Sequence, residues 1–301
     1  MTSNRAAASI KNSSFSIITQ VLTVVINFVV KTIFIYTLGS EYLGINGLFS
    51  NIITMLSLAD LGIGIAIPYS LYKPLSTEDH EKIKSLMYFY KRIYNIIGIA
   101  VLMIGFSITP FLPFLIKEMP ENIPHIYLIY MMFVTHSASS YFFVYKKFLI
   151  DADQKGYITS KITFLFSTVL SIVQIILLLT THNFILYLGS SIVMVILQNI
   201  YISKKAEYLY PYLKEKKVQE IDKQEYKEIK KNVSSLFIYK IGSVIMNGTD
   251  NIVISKIIGL VMVGIYSNYL MIINSIYNIL NQIFNAITSS IGNLVVTTNE
   301  K

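Results

Sequence analysis

The chain has 301 residues, 53% of them hydrophobic and 14% charged, with a net charge of +8 and no cysteine. A mean hydropathy of +0.57 excludes an ordinary soluble domain, whose charged fraction is about 25%, and the lack of cysteine excludes disulfides and thiolate metal or redox sites. The positive charge collects between apolar runs, which argues for loops on the cytoplasmic side of a membrane and against a nucleic-acid partner.

The apolar runs are about 20 residues long, enough to cross a ~30 Å hydrocarbon core. The first follows a short polar amino terminus, residues 1–14, which carries Arg5 and Lys11. Its own extent, 15–38, is too long for the core of a signal peptide. Further spans are expected at 43–69, 86–116, 125–145, 158–180 and 184–203. The third is kinked or ended by Pro110 and Pro113, because proline lacks the N–H that a helix interior needs. Residues 73–84 and 146–161 read as loops. Residues 204–232 form a basic, partly helical linker at the membrane surface, and two more spans are expected at 233–258 and 263–296. The predicted fold is all-α: a multi-pass membrane bundle of about eight transmembrane helices. Residues 15–203 make one six-helix lobe, and residues 233–301 begin a second. With the amino terminus inside, every Lys and Arg except Lys31, Lys117, Lys240 and Lys256 falls in or beside a cytoplasmic segment, as the positive-inside tendency requires.

Two stretches repeat. Shifted by 220 positions, Leu38-Gly39 and Leu43-Gly44-Ile45 fall on Ile258-Gly259 and Val263-Gly264-Ile265. Upstream, Gln20, Thr23, Asn27 and Lys31 fall on Lys240, Ser243, Asn247 and Asn251. That spacing is one face of a helix, so an internal duplication is expected. Six spans separate the two copies, and an even number gives both the same orientation.

Leu58-Ala59-Asp60-Leu61-Gly62, with Ala66 and Tyr72, resembles a hallmark of Wzx-type polysaccharide flippases, which belong to the multidrug/oligosaccharidyl-lipid/polysaccharide exporter superfamily. Thr249-Asp250-Asn251 through Lys256, Gly259, Gly264 and Tyr266 is similar to that family's seventh-span signature, and Ser290-Ile291-Gly292-Asn293-Leu294 to the stretch after its eighth. The resemblance implies a flippase in the bacterial plasma membrane that translocates undecaprenyl-diphosphate-linked oligosaccharide during surface or capsular polysaccharide synthesis. It needs no cofactor, and its partners are membrane lipids and the polysaccharide polymerase and chain-length machinery. The family has twelve or more spans, so four or more are expected beyond Lys301, or the gene is interrupted and the chain is a non-transporting remnant. The alternatives are cation-coupled drug efflux and, from another class, a multi-pass polymerase or transferase.

A charge inside a membrane costs at least about 2.5–3.5 kcal/mol at a helix centre, which makes polar exceptions informative. Lys31 and Asp250 fall at similar depths in spans one and seven. They either line or bridge a central cavity, where Lys31 and Lys240 attract an anionic head group such as a diphosphate, or they lie near an interface and reach it along their stems. Asn27, Asn247 and Asn251 belong to the same stripes. Asn274, Asn278, Asn281 and Asn285 form another, suited to sugar hydroxyls or to neighbouring helices. Asp60 reads as a cap or inter-helix hydrogen-bonding group, with ion coupling as the alternative. His136 reads as a structural histidine or a proton relay, and Lys91-Arg92 as an interface anchor. Gly39, Gly44, Gly259 and Gly264 are structural. Asp151 and Asp153 are spaced like a metal pair but lack further ligands. No hydrolase, zinc-protease or phosphate-loop motif is present, so an enzyme is not expected.

Overall fold

The computed structural model describes residues 2–56, 63–117, 123–153, 155–215 and 249–277, together with single positions at 120, 280 and between 221 and 234. For residues 2–18, 20, 65 and 66 the backbone alone is described. All regular structure among these residues is helical.

Helix α1 (Thr2–Leu38) runs without a break because neither glycine nor proline interrupts it before Gly39. Gly39 adopts φ +91°, a conformation that costs glycine little, and turns the chain into α2 (Ser40–Leu56). Helix α3 (Ile63–Ser76) follows. The Asp79 side chain then caps α4 (His80–Ile108), accepting from Lys82 N at 3.0 Å. Pro110 ends α4, whose path continues as a 3-10 turn and the short α5 (Leu112–Leu115), as the two prolines predict. Helix α6 (Ile126–Tyr141) breaks at Phe143, φ 69°, and the chain resumes as α7 (Tyr145–Ala152). Helices α8 (Gly156–Thr181) and α9 (Phe184–Leu209) are joined by His182 and by Asn183, whose side chain accepts from Ile185 N and Leu186 N. After Pro211–Lys214 and the linker come α10 (Asp250–Ile257) and α11 (Leu260–Tyr277), separated by Gly259 at φ +131°.

Two expected loops are therefore corrected. Residues 73–84 are helical except at 77–79, and residues 146–161 are helical through Ala152 and again from Gly156. Their lysines are borne by the ends of long helices, because charge disfavours burial in lipid but not helix formation.

Among the described residues, five helices are long and apolar enough to cross a membrane: Val21–Leu38, His80–Leu115, Gly156–Thr181, Phe184–Leu209 and Leu260–Tyr277. Their outer faces expose Ile96, Ile99 and Met103 on α4 and Leu165, Val169, Ile172, Ile176 and Leu179 on α8. Stripes of this kind are costly in water and matched to a hydrocarbon solvent. The chain is a membrane-embedded helical protein.

Chain reversals alternate between two ends, one marked by Gly39 and Gly259, the other by His80 and the linker. Helix α1 packs on α8, α4 on α6, α6 on α9, and α3 on α7. One apolar core, with Phe34, Phe49, Tyr130, Phe184 and Val263, fills the glycine end. A second, with Tyr90, Tyr94, Tyr141, Tyr145 and Leu149, fills the linker end.

Candidate inter-repeat site

The two copies of the duplication meet face to face at the glycine end. A Cβ on Gly44 would overlap the carbonyl of Leu260, and a Cβ on Gly264 would come within 2.5 Å of the carbonyl of Ser40. Ser40 and Leu260 are repeat mates, as are Gly44 and Gly264, so each copy presents its glycine to the other's backbone. Each glycine is reached through the same turn: Leu43 N donates to Gly39 O at 3.4 Å, and Val263 N to Gly259 O at 3.4 Å. A contact in which i meets j and j meets i has a two-fold axis through it.

One pair of the polar stripe, described in both copies, obeys the same reciprocity. Lys31 Nζ on α1 donates to the carbonyl of Ser267 on α11 at 2.8 Å. Its mate Asn251 on α10 donates through Nδ2 to the carbonyl of Gly47 on α2 at 3.3 Å, and Gly47 is the mate of Ser267. Asn251 also donates to Ser267 Oγ at 3.3 Å. It is buried, and its Oδ1 has no hydrogen-bond partner, like the hydroxyl of Ser255 one turn on. An unmade buried hydrogen bond costs about 1–3 kcal/mol.

Beside this junction lies a cleft of about 260 Å³, lined by Asn27, Lys31, Asn46, Gln174, Tyr187 and Met271 among others. Apolar walls with a few amide, phenol and ammonium groups suit a ligand bearing hydroxyls and negative charge. Asn46, Gln174 and Tyr187 were not foreseen. Gln174, buried and donating to Ser191 Oγ at 2.8 Å, is legible in retrospect as an amide inside the apolar run of α8.

Among the expected residues, Lys31, Asn27 and Asn251 come together here. Lys31 and Asp250 take separate partners: Tyr266 Oη donates to Asp250 Oδ2 at 2.6 Å, which ties Asp250 within its own copy. Asn274 is exposed on α11 and does not line the cleft. Thr23 bonds back to Thr19 O at 2.7 Å on its own helix. Asp60, Lys240, Ser243, Asn247, Asn278, Asn281, Asn285 and the Ser290–Leu294 motif lie outside the described residues.

Asp151 and Asp153 have structural partners. Asp151 Oδ1 accepts from Thr159 Oγ1 at 2.6 Å, and Asp153 Oδ2 accepts from Tyr210 Oη at 2.7 Å and pairs with Lys155 at 2.6 Å. Burial pushes the Asp151 carboxyl above its usual range, partly offset by the Thr159 bond and Lys147. Burial and the Asp153 carboxylate push the Tyr210 phenol up. Among the described residues no group of acids and histidines is arranged to hold a metal ion.

No family model matches the chain, and no curated protein or solved structure matches it.

Proposed function

We propose that the chain translocates an undecaprenyl-diphosphate-linked oligosaccharide across a bacterial plasma membrane by alternating access, in the service of surface polysaccharide assembly. The observation that carries this reading is the reciprocal junction at Gly44 and Gly264. Two repeats that meet about a two-fold axis rock apart as rigid bodies, which is how duplicated transporters expose one site to each side in turn. The junction is suited to release. It is made of small residues and backbone, and it already leaves Asn251 Oδ1 and the Ser255 hydroxyl without partners.

In this reading about eight spans are present, with the amino terminus cytoplasmic and the glycine end outside. The protein is then held closed outwards. The cleft at Lys31 supplies a cation for the diphosphate, and Asn27, Asn46 and Gln174 supply amides for sugar hydroxyls. No bond of the substrate is made or broken. The motifs that resemble Wzx-type flippases favour a lipid-linked sugar over a drug as cargo.

Deletion of the gene is expected to remove surface polysaccharide, and re-expression to restore it where a drug-efflux protein does not. Recovery of drug tolerance without polysaccharide would sink the proposal. In the same assay Lys31→Met is expected to lose most of the activity while the protein still accumulates in the membrane.

A further inference from the structure

Away from the inter-repeat junction, a cleft of about 460 Å³ opens between the first turns of α4 and the linker. Its lining includes Ser85, Tyr88 and Arg92 from α4, and Tyr226, Lys227 and Lys230 from the linker. Three cations and two phenols converge there, with no carboxylate among the described lining residues. Arg92, Lys227 and Lys230 are exposed, and none has an ion-pair partner among the described residues. Nearby lysines are treated otherwise: Lys84 is held by Glu81 and Glu215, Lys146 by Glu207 and Lys155 by Asp153.

The depth of the cleft indicates its ligand. Helix α4 has 29 residues, about 44 Å at 1.5 Å per residue, and so exceeds a ~30 Å hydrocarbon core. Arg92 is the last charge on α4, about 18 Å from its His80 end, and uncharged sequence follows it to Ile116. Tyr88, Arg92, Ile96, Ile99 and Met103 share one helical face. The four uncharged members are exposed; Ile96 is 63% and Met103 67% exposed. A cationic pocket thus opens onto an apolar stripe on the same face. A phospholipid has that order of chemistry, a phosphate followed by an acyl chain.

We infer that this cleft binds an anionic membrane phospholipid. Arg92 takes the phosphodiester in two parallel hydrogen bonds, as a guanidinium does best. Lys227 and Lys230 supply the remaining positive charge. The hydroxyls of Tyr88 and Tyr226 reach the head-group or glycerol oxygens, and one chain lies along Ile96, Ile99 and Met103. The lipid then fastens the linker to the bundle. The inference needs only membrane embedding, and stands or falls apart from the transport reading.

The test uses the full chain in nanodiscs of phosphatidylcholine with and without phosphatidylglycerol. Mass spectrometry reads the lipid retained after delipidation, and thermal unfolding reads stability. Preferential retention of phosphatidylglycerol is expected. It should fall at least tenfold in the triple variant Arg92→Gln, Lys227→Gln, Lys230→Gln. It should remain in Lys91→Gln, which does not line the cleft and controls for folding, and fall only partly in Arg92→Lys, which keeps the charge but loses the paired hydrogen bonds. Ile99→Glu should weaken retention with the cations intact. Equal retention of the two lipids, or no loss in the triple variant, overturns the inference. Protection by inorganic phosphate equal to that by phosphatidylglycerol, untouched by Ile99→Glu, overturns it in favour of a soluble phosphate site.

Discussion

The two ends of the bundle are held together by opposite means. At the glycine end, α2 and α11 touch through Gly44, Gly47, Gly264 and backbone carbonyls, and Lys31 is drawn into the contact. At the linker end, charge and phenol do the joining. Lys84 lies between Glu81 and Glu215 at 2.6 Å from each. Lys146 holds Glu207 and the Ser203 hydroxyl, and His80 stacks on Tyr212 with ring centroids 4.3 Å apart. These polar and ring contacts of the linker end join the first lobe to the linker, whereas the glycine end joins the two repeats. The first kind of contact separates without stranding many charges. The second does not, because breaking one member leaves its partner uncompensated. In the proposed transport cycle, a molecule so built would hinge at its glycine end and stay rigid at its linker end.

The largest expected effect comes from locking the hinge. A Cβ on Gly47 would stand 3.3 Å from Ser267 Cβ, close to the ~3.5–4.5 Å of a disulfide, and the chain has no cysteine of its own. Gly47→Cys with Ser267→Cys should therefore cross-link in membranes. The cross-link should stop transport completely, with recovery on reduction. A cross-link that forms while transport continues at the normal rate would show that the junction does not open.

Next comes wedging the junction apart. Gly44→Leu drives side-chain atoms into the Leu260 carbonyl, and overpacking of this kind costs about 1–3 kcal/mol. The expected readouts are a lower unfolding midpoint and no cross-link between cysteines at 47 and 267. Gly39→Leu, at a position where no atom crowds the Cβ, should cost only the backbone strain of positive φ, about 1–2 kcal/mol, and should leave the cross-link intact.

A smaller effect separates the reciprocal hydrogen bonds. Lys31→Met removes the donor to Ser267 O, and Asn251→Leu the donor to Gly47 O. Each loses about 1–3 kcal/mol of junction stability. Because the two bonds share one interface, the double variant should lose less or more than the sum, as read from unfolding midpoints. Strict additivity would mean that the copies are not coupled across the axis.

Much of this hinge was legible in the sequence, because a duplication leaves matching residues at a fixed offset: Gly39 with Gly259, Gly44 with Gly264, Lys31 with Asn251. That the mates also touch each other was not legible, since an offset carries no information about which surfaces meet. Gln174 and Tyr187 escaped notice because they come from α8 and α9, which have no described mates to flag them. The loops at 73–84 and 146–161 were misjudged for a related reason. Polarity marks where a chain meets water, and Lys73 and Lys147 meet it while still helical. Asp151 and Asp153 have the spacing of a metal pair without further ligands, and spacing alone does not reveal that Thr159 and Tyr210 occupy their oxygens.

Asp151 provides the finest test of the rigid end. Burial raises its carboxyl above the ordinary value of about 4, with the Thr159 hydrogen bond and Lys147 pulling partly back. The native state therefore holds this proton more tightly than the unfolded chain. Where the unfolded carboxyl has ionised and the native one has not, a rise in pH draws protons from the unfolded state first, so stability falls with rising pH. The fall begins near the unfolded value of about 4 and ends once the raised native value is passed. Its slope is at most about 1.4 kcal/mol per pH unit. Asp151→Asn keeps an oxygen to accept from Thr159 and removes the titration. Its unfolding midpoint should be flatter than wild type just above pH ~4 and equal or higher at neutral pH. A variant less stable than wild type at neutral pH would instead make the ionised carboxylate a net support of the linker end, with Lys147 outweighing the burial. Its stability would then depend on the charges around α7 as directly as the glycine end depends on small residues.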